Sequence, residues 1–239
     1  YKSSKKIIIM GNKPTLSIIL PVYNEQTTIR KIIEIIQEQK IPKEIIIVDD
    51  GSTDKTREII NTISSPEVKK VFLKRNYGKG AAIRCGIKRA EGKIVIIQDA
   101  DLEYSPEDYA KLIGPILQDR SKIVYGTRFP KNRKQKNISL FYLGNKLLTL
   151  IANILYGTKL TDEATCYKVF DTELLKKIKL KSRRFEFCPE ITAKLSKKGH
   201  KIIEIPVSYN PRTKNHGKKI RYRDGITAIA TLIKYRFFN

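Results

Sequence analysis

Cysteine and histidine are scarce. Cys85, Cys166 and Cys188 are odd in number and widely spaced, and the only histidines are His200 and His216. That pattern gives no support to a disulfide framework or a structural zinc site, and it points to a reducing, cytoplasmic setting. Cys166 and Cys188 read as packed small side chains rather than nucleophiles, and both histidines read as surface residues. Long apolar runs are lacking too. None reaches the roughly 18 residues of a membrane-spanning helix, so a membrane would be met only from the side. Tyr1 to Lys6 is polar and basic and shows no secretory signal pattern; with Tyr rather than Met in first place, the natural N-terminus is left open. There is no internal repeat and no low-complexity linker. Acidic residues are half as numerous as basic ones, 24 against 48, for a formal net charge of +24. Such an excess attracts phosphates, whether of nucleic acid, anionic lipid headgroups or nucleotide substrates.

What remains is the composition of a folded protein, 41% hydrophobic and 30% charged, in a chain of 239 residues that suffices for one α/β domain or two small ones. From Thr15 onward, short apolar runs alternate with amphipathic stretches of helical length. Leu16 to Leu20 reads as a strand stopped by Pro21, and Thr27 to Gln39 as a helix carrying Ile29, Ile32, Ile33, Ile35 and Ile36. Glu44 to Val48 and Val68 to Leu73 read as strands. Between them runs a helix capped by Ser52 or Thr53 and ending near Ile60; another follows from Lys79 to Ala90. Lys93 to Ile97 is the fourth strand. This alternation implies a mainly parallel sheet with both faces covered. The second half is less regular. Ser105 caps a helix with Pro106 at its first position and an end near Asp119, Lys122 to Gly126 is a strand, and Ile138 to Tyr156 is strongly apolar. Clear strand character returns only over Ile202 to Tyr209, and Gly225 to Phe238 reads as a final apolar helix.

The fourth strand ends in Gln98-Asp99-Ala100-Asp101-Leu102-Glu103. Alternation along a strand would turn Asp99, Asp101 and Glu103 to one side with the small Ala100 between them. Such a cluster suits Mg²⁺ or Mn²⁺, hard cations that take carboxylate oxygens and leave the rest of the shell to water and substrate phosphates. Alone, Asp-Ala-Asp reads as well as a solvated turn. In parallel α/β sheets, however, ligands bind outside the carboxyl ends of the strands, and Pro21 to Glu25, Asp49 to Asp54 and Asp99 to Glu103 all fall there. Gly51 would let the backbone approach a ligand, and a carboxylate beside it can accept from ribose hydroxyls or base N–H groups. Gly78-Lys79-Gly80 completes neither phosphate-loop spacing, since position 83 is Ile, although Lys79 could approach a substrate phosphate.

In this order and spacing, Pro21-Val22-Tyr23-Asn24-Glu25, Val48-Asp49-Asp50-Gly51-Ser52-Thr53-Asp54, Asn76-Tyr77-Gly78-Lys79-Gly80-Ala81-Ala82 and Asp99-Ala100-Asp101-Leu102-Glu103 resemble the motifs of the inverting glycosyltransferases of family 2. These have the Rossmann-like GT-A fold. Gly126-Thr127-Arg128, Thr161 to Lys168, and Ile205-Pro206-Val207-Ser208-Tyr209 up to Arg212 resemble the branch containing dolichol-phosphate mannose synthases and other polyprenyl-phosphate sugar transferases. The likeness covers nearly the whole chain from Leu16. It implies an α/β GT-A domain over residues 15–213, a mainly parallel sheet flanked by helices. An N-terminal extension, 1–14, precedes it, and a basic loop with a C-terminal amphipathic helix, 214–239, follows. It further implies that Pro21, Tyr23, Glu25, Val48 and Asp50 hold the donor's nucleotide. Lys79, Gln98, Asp99, Ala100, Asp101 and Lys218 would complete the donor site, and Asp99, Asp101 and Glu103 would form the metal site. Arg128 and Arg212 match arginines near the donor and acceptor phosphates, Arg212 lying on a loop after the last strand. The chain departs from the mannose synthases after Arg212, where Thr213 to Lys219 replaces a shorter Ser-containing Gly-Lys segment, and between Arg128 and Tyr142, which has no clear match.

The chemistry follows from the residue types. Breaking a sugar–diphosphate bond leaves an anion that a divalent cation and guanidinium groups stabilise. An acceptor hydroxyl would need a carboxylate to take its proton, and Asp162 is the candidate, with a purely structural role equally open. A phosphomonoester, with a second pKa near about 6, is already substantially dianionic and needs cations instead. The basic residues around Arg128 to Lys136, Lys181 to Arg184 and Lys214 to Arg223 suit that case. The two apolar segments lie beside basic runs and read either as core helices or as amphipathic helices resting on an anionic bilayer. The expectation is a metal-dependent transferase moving a mannose- or glucose-type hexose from a GDP- or UDP-hexose to a polyprenyl phosphate, peripheral at the cytoplasmic membrane face. Two rivals stand beside it. One is transfer to a glycan hydroxyl with Asp162 as base. The other is a basic nucleic-acid-binding module, which the placing of Tyr and Phe in apolar runs disfavours and which leaves the acidic clusters without a task. A nucleotidyltransferase would need a glycine-rich, Arg-containing loop after the first strand, and none is there.

Overall fold

The computed structural model of the chain describes residues 14–129, 140–212 and 222–238. The N-terminal extension, Lys131 to Lys136, His216 and Lys218 lie outside the described residues. Strands β1 (Leu16–Val22), β2 (Lys43–Asp49), β3 (Val68–Phe72) and β4 (Ile94–Ile97) lie parallel in the order β3-β2-β1-β4. Helices α1 (Ile29–Glu38), α2 (Thr56–Thr62) and α3 (Lys79–Ile87) make the crossovers. Ile45 to Val48 and Ile94 to Ile97 are buried throughout, as central parallel strands covered on both faces must be. Helix α1 contributes Ile29, Ile32, Ile33 and Ile36, the spacing of one helical stripe. Helix α3 comes so close that a Cβ on Gly86 would stand 2.5 Å from Ile19 Cγ2. From β1 the chain steps outward to β2 and β3, then returns to the other flank of β1 for β4. The crevice at that reversal is where such sheets bind ligands.

Pro21 does not stop β1, which runs on to Val22. Ile19 faces β4, receiving the Gln98 N–H, while Val22 faces β2, receiving that of Asp50. Pro21 therefore turns its missing N–H to the side where β4 has already ended at Ile97, and no sheet bond is lost. Nor do Ser52 and Thr53 cap α2. The Ser52 hydroxyl receives the Asn24 N–H at 2.9 Å and the Thr53 N–H donates to Asn24 Oδ1 at 2.8 Å, so both serve to join the loops after β1 and β2.

Beyond β4 the sheet changes character. A strand not expected from the sequence, β6 (Lys168–Asp171), runs antiparallel between β4 and β5 (Ile123–Thr127), and β7 (Ile203–Pro206) lies parallel to β5. Ser105 does cap the turn at Pro106–Asp108, its Oγ receiving the Glu107 N–H at 3.3 Å, and α4 (Tyr109–Leu117) follows. The remaining helices are α5 (Leu140–Tyr156), α6 (Thr172–Lys176), α7 (Phe187–Lys197) and α8 (Tyr222–Phe237). Helices α5, α7 and α8 pack on one another around a small second core of Leu148, Ala152, Ala193, Ala228, Leu232 and Tyr235. The opposite face of α5 is an outward stripe of Leu140, Leu143, Leu147, Leu150 and Ile154, each at least 52% exposed. Helix α8 likewise turns Ile226, Ile233 and Phe237 outward. No helix among the described residues is long and apolar enough to cross a membrane.

Candidate active site

The loop after β2 is fixed by its acids. Asp49 is fully buried and gripped by Arg57, with Nε at 2.9 Å and Nη2 at 2.7 Å. Asp50 receives the N–H groups of Tyr77 at 2.8 Å and Gly78 at 2.7 Å, and burial pushes its carboxyl above the usual range despite those bonds. Gly51, at φ +72°, lies against the Arg75 backbone where no Cβ fits. At the start of α3, Gly78 and Gly80 lie under the Ser182 to Arg184 strap; a Cβ on Gly78 would stand 2.5 Å from the Arg183 carbonyl oxygen. The Ala81 N–H donates to that carbonyl at 2.9 Å. The two glycines of Gly-Lys-Gly thus serve chain packing, and the residue they present is Lys79.

Lys79 reaches across to the turn after β4, its Nζ 2.6 Å from Asp99 Oδ1 and 3.8 Å from Cys166 Sγ. Burial raises the Asp99 carboxyl, but Lys79, the Cys166 thiol and Arg212 outweigh it and hold the group below the usual carboxylate range. Burial pushes the Cys166 thiol well up, which keeps it unreactive. Arg212, beyond β7, closes the other flank. Its Nη2 stands 3.2 Å from Asp101 Oδ2 and 3.0 Å from Glu25 Oε1, and its backbone N–H donates to Glu103 Oε1 at 2.8 Å. Glu103 also receives the Tyr209 hydroxyl at 3.1 Å. The acids after β1 and β4 therefore share one cleft with two cations. Strand alternation is not what gathers them, because β4 ends at Ile97 and Asp99 to Glu103 is a turn. Among the described residues no three His, Cys, Asp or Glu side chains stand together closely enough to hold a cation. Asp99 and Asp101 fit Mg²⁺ or Mn²⁺ as a two-carboxylate set, with a diphosphate needed to complete the shell.

Arg128, just past β5, is held by Asp162. Its Nε and Nη2 each donate to Asp162 at 2.7 Å, and its backbone N–H donates at 3.0 Å. Asn145 of α5 adds a fourth bond to the same carboxylate at 2.9 Å. Burial raises Asp162, and Arg128 with Asn145 overcomes it, holding the carboxyl below its ordinary value. Glu204 of β7 receives the N–H groups of Thr161 at 2.7 Å and Asp162 at 3.0 Å, which fixes the loop. The Arg128 guanidinium carbon lies 5.1 Å from the Tyr209 ring centre, so Tyr209 links Arg128 to Glu103 and the first cleft.

Residues 17–179 match glycosyl transferase family 2. The chain belongs to that family. It is 31% identical over 210 residues to UDP-N-acetylglucosamine–dolichyl-phosphate N-acetylglucosaminyltransferase of Methanococcus voltae, an alignment covering 80% of this chain and 83% of that one. It is 29% identical over 243 residues to dolichyl-phosphate beta-glucosyltransferase of Trichomonas vaginalis, covering 94% and 73%. Among solved structures, glucosyl-3-phosphoglycerate synthase of Mycobacterium tuberculosis, in complex with Mn²⁺, UDP and phosphoglyceric acid, superposes with a TM-score of 0.72 at 18% identity. That match covers 95% of this chain and 80% of the other. The fold is the mixed α/β GT-A type, and the protein is a glycosyltransferase.

The transferase corrects several expectations about its site residues. The side chains of Val48 and Gln98 are fully buried and Ala100 is 3% exposed, so none brings a side chain to a donor. Gln98 receives the hydroxyls of Tyr109 at 2.7 Å and Tyr167 at 2.6 Å and donates to the Asp99 carbonyl at 2.9 Å; it shapes the acidic turn from beneath. Asp162 has no oxygen free to act as a base. Pro21, Tyr23, Glu25, Lys79, Asp99, Asp101, Glu103 and Arg212 belong to the ends of β1, β4 and β7 and the start of α3. Cys166 is a packed thiol, as its sequence context suggests, and Tyr209 lies in a motif quoted without a role; the roles of Tyr209, Glu204 and Asn145 were not anticipated. Asn145 had a signal, since Asn145, Thr149 and Asn153 recur every four residues within a helix otherwise apolar but for Lys146.

Proposed function

We propose that this glycosyltransferase moves a hexose, with inversion, from a GDP- or UDP-hexose to a polyprenyl phosphate at an anionic membrane surface, in a reaction dependent on Mg²⁺ or Mn²⁺. The observation that carries the acceptor assignment is the saturation of Asp162: four donors occupy it and it is held ionised. The other acids of the cleft are also engaged, Glu25 by Arg212 and Thr28, and Glu103 by Arg212 and Tyr209. A hydroxyl acceptor would lack a base; a phosphate dianion needs none.

Asp99 and Asp101 would hold the divalent cation, which when bound supplies positive charge to the departing diphosphate. Lys79 stands next to Asp99 and would follow the diphosphate once its ion pair loosens. Tyr23 and Asp50, at the ends of β1 and β2, would border the nucleotide. Arg128 uses two of its five N–H donors on Asp162, which leaves donors for the acceptor phosphate, and Arg212 would meet the same anion from the opposite side. The relatives named above for dolichyl phosphate support the lipid acceptor. The outward stripes of α5 and α8 support a peripheral site on the bilayer, and the free thiols of Cys85, Cys166 and Cys188 suit its cytoplasmic face.

The test is a screen of nucleotide sugars for nucleoside diphosphate release with Mn²⁺ or Mg²⁺, with and without a polyprenyl phosphate. Release that requires the phosphorylated lipid and is absent with the free polyprenol is the expected result. Equal stimulation by a glycan that carries only hydroxyls would overturn the acceptor assignment.

A further inference from the structure

Helix α5 has two faces with different partners. Outward it shows the apolar stripe from Leu140 to Ile154. Inward, three polar residues one turn apart suspend the loop that carries Asp162. Asn153 holds Leu160 from both sides, Nδ2 donating to its carbonyl and Oδ1 receiving its N–H, each at 2.9 Å. The Thr149 hydroxyl receives the Glu163 N–H at 3.0 Å. Asn145 receives the Ala164 N–H at 3.1 Å and donates through Nδ2 to Asp162 Oδ1 at 2.9 Å. That oxygen is also the acceptor for Arg128 Nη2. Asn145 is buried, Asp162 fully so, and one carboxylate oxygen is therefore shared between a helix residue and the site arginine.

We propose that Asn145 is a positioning residue for Arg128: by fixing Asp162 Oδ1 from the side of α5, it sets the plane of the guanidinium that meets the acceptor's phosphate. Thr149 and Asn153 hold the loop's backbone, whereas Asn145 alone of the three touches the carboxylate. Without its amide, Asp162 keeps its bonds to the Arg128 side chain and backbone N–H but loses the restraint on Oδ1 from α5, and the bidentate pair is free to tilt about the remaining anchor at Oδ2. A misplacement of that kind costs rate on the group being positioned and leaves the distant nucleotide site as it was.

The inference rests on the acceptor reading above, so its test has one arm that needs no acceptor. Asn145→Leu keeps the branched outline and removes both polar atoms; Thr149→Val removes a bond of the same helix to the same loop without touching Asp162. For Asn145→Leu, kcat/KM for polyprenyl phosphate is expected to fall about 10- to 100-fold, while the Kd for nucleoside diphosphate with Mn²⁺, by calorimetry, stays within about twofold. Thr149→Val is expected to lower the urea midpoint comparably and leave that ratio alone. If both variants lower donor and acceptor constants together, Asn145 is merely structural and the proposal is overturned. The acceptor-free arm combines Asn145→Leu with Arg128→Lys and compares urea midpoints. Non-additive midpoints support the shared oxygen, and additive ones overturn the proposal whatever the acceptor. Wild-type protein inert toward polyprenyl phosphate, with non-additive midpoints, would sink the acceptor reading and leave the link between Asn145 and Arg128 standing.

Discussion

In the proposed reading, the donor side of the molecule, β1 to β4 with their helices, joins its loops mainly through backbone N–H groups; the acceptor side, from β5 onward, joins its elements mainly through side chains. On the donor side, loops are joined by amide N–H groups meeting carboxylates and hydroxyls, as at Asp50 with Tyr77 and Gly78, or Asn24 with Ser52 and Thr53. From the acceptor side a chain of contacts, all between side chains except the Arg212 N–H on Glu103, runs Asn145, Asp162, Arg128, Tyr209, Glu103 and Arg212 back to Asp101 in the turn after β4. The contrast suits the two tasks. On the function proposed above, a nucleotide would need a rigid cradle, whereas a lipid-borne phosphate would be met by cations whose position the rest of the protein can adjust.

The sharpest test of that contrast changes the charged groups of each side in turn. Replacing both Asp99 and Asp101 by Asn is expected to lower turnover about 10³-fold or more, since the leaving diphosphate loses the cation that stabilises it. Binding of the nucleotide in the presence of Mn²⁺, followed by calorimetry, should weaken in parallel. Arg128→Lys is expected to lower kcat/KM for the acceptor about 10²-fold, because an ammonium cannot make the bidentate pair with Asp162 and still serve a phosphate. Nucleotide binding should stay within about twofold. A comparable loss of nucleotide binding in Arg128→Lys would erase the division into two sides.

The same contrast explains what the sequence disclosed. The parallel half was legible because its strands are short and rich in Ile and Val and each functional loop sits at a strand's end, so Pro21 to Glu25, Asp49 to Asp54 and Asp99 to Glu103 could be assigned to one crevice. Within those loops, side-chain direction was not legible. Gln98 and Val48 lie in motif stretches yet are buried, and for Gln98 the partners that hold it there are tyrosines of distant elements. Strand β6 escaped notice because it is four residues long and opens on Lys168, whose ammonium is buried 3.5 Å from the Tyr125 ring centre and donates to the Glu163 carbonyl at 2.9 Å. A buried lysine is tolerable only with such partners, and those come from elsewhere in the chain. Asp162 stood out as an acid in a suggestive motif, but whether it was base or anchor depended on Asn145, seventeen residues away.

Buried acids give the two sides opposite responses to pH. On the acceptor side, burial pushes the Glu163 carboxyl from an ordinary 4.5 up to about 7, with Lys168 working against it, and its Oε1 has no hydrogen-bond partner among the described residues. The folded state therefore binds that proton more tightly than the unfolded chain. Its contribution is full below about pH 4.5 and is lost as the pH rises through about 7, a change on the order of 3 kcal/mol. On the donor side, burial also raises Glu44, but Lys69, Ser17 and the amides of Glu91 and Gly92 prevail and hold it below 4.5. That contribution is present above pH 4.5 and is lost as the pH falls through the lowered value. Urea midpoints measured from pH 4 to 8 should accordingly lose their decline toward neutrality in Glu163→Gln and should drop chiefly at the upper end in Glu44→Gln. Parallel profiles for the two variants would contradict the assignment.

The smallest effect concerns the face of α5 that makes no contact with the site. Leu143 and Leu150 are about half exposed, at 52% and 54%, so replacing them with Ser removes no core packing and should leave Tm nearly unchanged. If the stripe rests in the headgroup layer, each leucine contributes about 1 kcal/mol to membrane binding, and the double variant should bind anionic vesicles about thirtyfold more weakly. Raising the salt should weaken the wild type as well, since a chain of net charge +24 is drawn to anionic lipid through screened interactions. Sedimentation with vesicles of mixed neutral and anionic lipid separates the two contributions: the leucine variant loses the part that persists at high salt, and the wild type loses the other. Were the double variant to bind vesicles like the wild type at both salt concentrations, the lipid would have to lie against some other face, and the acceptor's phosphate would reach Arg128 from a direction that α5 does not set.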